Sequence, residues 1–218
     1  MKKTRDTMPA VDADLVWSAA CTAYRLNSGY LKEPEVIGDQ VIRPTNREIV
    51  RRCLENLSLI TNVDREQAVE CRRYMASAVT MQALRTDLGE WSKITARVCG
   101  LDTIASNYDL SVITAMPQSY VKQLKKESVD SRLAQCDEAH VGQLGNKVNL
   151  TVEILRNNYS AKYNTWFVSG ITENNQAVFF AYREELKSDQ TLKIRGTVKR
   201  LVDRATQLNR VKVIEELS

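Results

Sequence analysis

The chain predicts an α+β protein, with an N-terminal helical domain over residues 1–145 and a small five-stranded antiparallel β-barrel over residues 146–218. Three observations carry that expectation. Apolar residues recur near a 3.6-residue period through the first two thirds and at a strict period of two in the last third. Gly142 and Gly145 punctuate the change. Charge divides there as well. Of 31 Lys and Arg and 27 Asp and Glu, twelve and eight fall after residue 145, which leaves 19 of each before it and puts the whole net charge of +4 on the β-rich third.

Bulk properties narrow the class. A length of 218 residues allows two domains, each with its own core. With 43% hydrophobic and 27% charged residues the composition is that of a globular protein. The apolar runs are too short for a membrane span, and no 7–15-residue apolar stretch follows the charged start Met1-Lys2-Lys3-Thr4-Arg5-Asp6, so neither a membrane nor a secretory signal is expected. Five widely spread cysteines (Cys21, Cys53, Cys71, Cys99, Cys136) read as buried free thiols of a reducing, cytoplasmic compartment.

The helical elements follow in order. Asp14–Leu26 carries Leu15, Trp17, Ala19, Ala20, Ala23 and Tyr24 at helical spacing, and Gly29 suits the left-handed position that ends such a helix. Residues 30–44, with Pro34, Gly38 and Pro44, read as a loop holding a short extended piece at Glu35–Ile42. Thr45-Asn46-Arg47-Glu48 is a capping box opening a helix with Ile49, Val50, Cys53, Leu54 and Leu57 on one face. A long helix is expected from Asn62 to about Leu84, and shorter ones near 87–99, 101–115 and 118–139, with Pro117 ending the stretch that contains Leu110–Ala115. The pairs Arg51-Arg52 and Arg72-Arg73 flank apolar stripes and have Glu48, Glu55, Glu66 and Glu70 within helical reach.

The strands are written in the alternation. Val148, Leu150, Val152 and Ile154 alternate with polar residues. Residues 157–164 read as a polar loop, Thr165–Thr172 as a second strand, Glu173–Gln176 as a hairpin turn, and Ala177–Tyr182 as a third strand. After a linker at 184–190 come Thr191–Leu201, with Gly196 marking a bulge or bend, a turn at 202–206, and Gln207–Ile214. Three strands, a linker and two strands is the element order of an OB-fold; an SH3-like barrel or a plain antiparallel sheet fits the spacing too. Leu192-Lys-Ile-Arg-Gly-Thr-Val-Lys199 and Thr206-Gln-Leu-Asn-Arg-Val-Lys212 resemble the closing two strands of an OB-like domain of bacteriophage-encoded proteins, and Ala177-Val-Phe-Phe-Ala-Tyr182 resembles the strand before them. That resemblance implies action in a bacterial host cytoplasm, on phage DNA or on a host protein.

No catalytic constellation competes. The single histidine excludes most nucleophile–His arrangements, and neither a phosphate-cradling glycine loop nor a nucleophile elbow is present. Cys136 and His140 stand four apart but lack two further ligands, so no metal and no cofactor is expected. An OB barrel binds single strands across its second and third strands and the loops joining strands 1–2 and 4–5. Here those loops are Arg156–Asn164 and Val202–Gln207, offering Arg156, Tyr159, Lys162, Tyr163 and Arg204. Lys193, Arg195, Thr197 and Lys199 share one face of the fourth strand, and Arg210 lies on the fifth. Phe167 or Phe180 is expected to be exposed as a stacking platform or a protein interface. The equally open alternative for the basic stripe is an ordinary solvated face that blocks edge-to-edge pairing. The resulting expectation is a non-enzymatic protein binding single-stranded DNA, with RNA left open. Its helical domain would contact a replication, recombination or transcription protein of phage or host, or another copy of itself. The alternative is an adaptor or inhibitor of a host enzyme that docks through the β-domain.

Overall fold

The computed structural model describes residues 7–84 and 86–217. The chain divides into two compact units between Leu124 and Lys125, ahead of Gly142 and Gly145.

In the first unit, α1 (Ala13–Leu26) is buried along most of its length, Val16, Trp17, Ala19, Ala20 and Ala23 being fully so. Small residues let α2 (Asn46–Glu55) and α3 (Asn62–Ala83) pack close on it. Its C-terminus closes as a Schellman motif: the Gly29 amide donates to the Tyr24 carbonyl at 2.9 Å and the Ser28 amide to the Arg25 carbonyl at 3.1 Å. Ser28, and not Gly29, takes the left-handed position, at φ 50°. The Thr45–Glu48 capping box forms as expected, and an unexpected one, Thr61 with Asp64, opens α3. Asp64 also receives both arms of the Arg25 guanidinium at 2.8 Å.

Two small sheets interrupt the helices, so the unit is not purely helical. β1 (Thr7–Asp12) pairs with β4 (Thr103–Ser106), and β2 (Glu35–Ile37) pairs with β3 (Gln40–Arg43). After α4 (Glu90–Cys99), α5 (Asn107–Ala134) runs unbroken through Pro117, where two shorter helices were expected. An interior proline costs roughly 3 kcal/mol. The turns beside it are held by other contacts: Leu110, Ile113 and Met116 are fully buried, Gln118 accepts from the Tyr30 amide, and Tyr120 meets Tyr74 edge-on at 5.1 Å. Arg72 donates to the carbonyls of Cys99 and Leu101 and to Asp14 at 2.6 Å, a structural role.

The second unit holds β5 (Lys147–Ser160), β6 (Thr165–Thr172), β7 (Ala177–Tyr182), β8 (Thr191–Val202) and β9 (Ala205–Glu216), closed into a barrel in the order β5-β6-β7-β9-β8. The expectation of an antiparallel barrel is corrected here, because β7 and β9 run parallel. Strand directions cannot alternate all the way round a closed ring of odd number, so one parallel pair is unavoidable. Val152, Ile154, Val168, Val178, Phe180, Leu192, Ile194, Val198 and Leu208 fill the interior.

β5 is longer than its alternation indicated. A bulge at Leu155 flips the parity, after which the strand continues through residues expected to be loop, pairing Asn158 with Phe167 and Ser160 with Thr165. Gly196 faces a second bulge in β9, where the register shifts between Arg195 and Thr197. Gly170 is the tighter glycine: a Cβ there would stand 2.5 Å from both the Glu153 carbonyl and a Val152 methyl.

Gly170→Ala is therefore expected to destabilise the barrel by about 1–3 kcal/mol, read by denaturant unfolding with the helical signal as internal reference. A second expectation concerns acid. Burial alone would raise the Asp64 pKa, but Arg25, the Thr61 amide and hydroxyl and the Thr22 hydroxyl outweigh it and hold the carboxyl well below the usual carboxylate range. A depressed folded pKa contributes stability above the unfolded value, near 4, and loses it as pH falls through that region. Unfolding midpoints of the helical unit should drop below about pH 4, and Asp64→Asn should lower the midpoint at pH 7 and flatten that drop.

Candidate nucleic-acid interface

Eight of the ten basic and aromatic positions read from the sequence fall in two places, while Arg156 and Arg204 turn to the end of α5. β5 pairs with β8 along its first half, Asn149 opposite Arg195 and Thr151 opposite Lys193. It pairs with the tip of β6 along its second half, Tyr159 opposite Trp166. Asn149 and Asn158 are nine positions apart, roughly 30 Å of strand. The aromatic end of the β5–β6 hairpin and the basic outer face of β8–β9 thus lie at opposite ends of β5.

At the hairpin end, Tyr163 meets Phe167 edge-on at 6.0 Å, and the Lys162 ammonium lies 5.3 Å from the Tyr163 ring. Of the two phenylalanines expected as alternatives, Phe167 is exposed (44%) and Phe180 is core (1%). Tyr159 packs on Trp166 at 5.2 Å and donates its hydroxyl to Asn164. Tyr159 lies on β5 and not in a loop, since the turn shrinks to residues 161–164. The outward side of β6–β7 carries no charge at all: Thr165–Thr172 and Ala177–Tyr182 contain no Lys, Arg, Asp or Glu.

Two of the expected cations serve the fold. Arg156 pairs with Asp130. Arg204 donates to the Ala134 carbonyl at 3.2 Å and to Glu138 at 2.7 Å, closing the C-terminus of α5 as a cation should. Nearby, Arg132 grips Glu153 with two bonds of 2.9 and 2.6 Å, and that contact lowers the Glu153 pKa and raises that of Arg132. These pairs hold the end of α5 against the barrel within the second unit. Cys136 and His140 lie past the end of α5, so they are not on one helix face.

The outer face of β8–β9 differs. β8 alternates as read, with Leu192, Ile194, Gly196 and Val198 buried and Lys193, Arg195 and Lys199 exposed. Lys193 is paired with Glu215 at 2.8 Å. Arg195 stands directly opposite Lys212 and among the described residues bonds only the neutral Asn149, its Nε donating at 2.9 Å. Among the described residues Arg195, Lys199, Arg210 and Lys212 make no ion pair. Arg210 sits in the β9 bulge at φ 53°, a left-handed conformation uncommon for a long side chain. Like charges directly opposite on a sheet destabilise it, so this face is poised to gain from an anion. Asn149 joins this face through cross-strand pairing, which leaves no local signal in the sequence.

No family model matches the chain, and neither a curated protein nor a solved structure is significantly similar to it. Among the described residues no helix is long and apolar enough to cross a membrane.

The two kinds of cation should separate in stability measurements. Arg132→Gln and Arg156→Gln are each expected to cost up to about 1 kcal/mol, the range of partly exposed ion pairs, whereas Lys199→Gln and Lys212→Gln, which break no ion pair, should be neutral or slightly stabilising.

Proposed function

We propose that the second unit is an OB-like barrel that binds single-stranded nucleic acid without catalysing a reaction. Its backbone contacts would lie along the outer face of β8–β9. The observation that carries the reading is a cluster of unneutralised cations that includes Arg195, Lys199, Arg210 and Lys212, two of them opposed across β8–β9. The strand order, with the first, second and third strands followed by the fifth and fourth and the third parallel to the fifth, supports the OB-like assignment. Phosphates on that face would relieve the cross-strand repulsion, and release of their counterions would drive binding. Aromatic side chains at the β5–β6 hairpin, Tyr163 and Phe167, would offer stacking to bases farther along the strand.

A second reading is favoured by one specific observation. The uncharged β6–β7 face with exposed Phe167 has the aromatic, charge-poor character of a protein interface core. The adaptor reading would place a host enzyme there.

Fluorescence anisotropy of a labelled single-stranded oligonucleotide tests the proposal. Affinity should fall with a log–log salt slope of about 3, as four phosphate contacts give. The triple variant Lys199→Gln, Arg210→Gln, Lys212→Gln should flatten that slope to about 1. Binding by the triple variant equal to the parent's, or loss of binding only in Phe167→Ser, would move the site to the β6–β7 face.

A further inference from the structure

Beside the basic face lies an open cleft of about 330 Å³ between the outer surfaces of β5 and β8 and the end of β9, lined by Asn149, Thr151, Glu173, Lys193, Arg195 and Ile214. We infer that this cleft takes one nucleotide, with the Arg195 guanidinium as a two-pronged phosphate clamp; the inference rests on the nucleic-acid reading above and adds where a nucleotide seats and what positions it.

Orientation is the first support. A guanidinium is planar, so fixing one nitrogen fixes the plane. Asn149 Oδ1 accepts from Arg195 Nε at 2.9 Å. The two terminal nitrogens make no bond to other described residues, which leaves the fork that matches phosphate geometry. Lys212, directly opposite, adds charge on the same side. Charge placement is the second support. Glu215 neutralises Lys193 at 2.8 Å, so Arg195 is the one cation lining the cleft that has no carboxylate partner among the described residues. The cleft is thereby fitted to one phosphate and not to a run of them. Glu173 and the Thr151 hydroxyl accept hydrogen bonds from sugar hydroxyls or base amino groups, and Ile214, 55% exposed, supplies an apolar surface for a base. Size is the third support: about 330 Å³ lies at the small end of ligand sites, enough for a single nucleotide and too little for several.

The same chemistry belongs to a nucleotide within a strand and to a free mononucleotide, and the experiment separates them. With the full chain, affinity and salt slope for a labelled twelve-residue oligodeoxyadenylate are measured alongside NMR of the Arg195 Nε–H signal during addition of AMP. Arg195→Lys keeps the charge but loses the fork, and Asn149→Ala keeps the charge but frees the guanidinium. Each should weaken oligonucleotide binding about tenfold with the salt slope unchanged, whereas Lys212→Gln should lower the slope by about 0.7. Movement of the Arg195 signal by AMP as well as by the oligonucleotide would extend the site to free mononucleotides; movement by the oligonucleotide alone would confine it to strands. Arg195→Lys and Asn149→Ala binding like the parent while Lys212→Gln weakens would overturn the cleft and leave the basic face standing. AMP moving the signal with no oligonucleotide bound at low salt would keep the cleft and overturn the strand reading. Silence in both would overturn both.

Discussion

Closure of an odd number of strands is the constraint from which the second unit follows. Five strands cannot alternate in direction around a ring, so one pair must meet in parallel, and here it is β7 and β9. Parallel neighbours need a connection that crosses to the far end, and β8 supplies it as a strand lying between β9 and β5. That placement gives β8 two partners. Its inward residues complete the aliphatic core, and its outward residues stand beside Asn149 on one side and Lys212 on the other. The basic face is therefore a product of topology as well as composition.

Charge in this unit is used in two ways that sequence counting does not distinguish. Arg132, Arg156 and Arg204 are drawn into contacts with Glu153, Asp130 and Glu138, where the end of α5 meets the barrel. Exposed pairs of this kind contribute little individually, but bidentate geometry and their clustering favour one seating of the helix end. Arg195, Lys199, Arg210 and Lys212 remain without carboxylates among the described residues. A modest net charge can thus hide a locally concentrated field.

What the residues announced and what they hid divide along physical lines. The period-two alternation of β8 was legible because a half-buried strand must alternate, and the Thr45–Glu48 cap because it is a local hydrogen-bond pattern. The end of β5 was misread as loop because the bulge at Leu155 reverses the parity on which the reading depends. Continuity of α5 through Pro117 reflects burial of Leu110, Ile113 and Met116, which local preference does not contain. The β1–β4 pairing joins segments far apart in sequence and left no signal. At the site, residue types were legible but their partners were not: nothing local shows that Arg204 turns to Ala134 or that Arg195 turns to Asn149.

The most direct test of the account is an amide NMR map of the full chain titrated with a single-stranded oligonucleotide. Shifts concentrated in Leu192–Lys199 and Asn209–Glu215, extending to Asn149 and Thr151 on β5, are expected. Shifts confined to β6 and β7 around Phe167, or to the first unit, would contradict it.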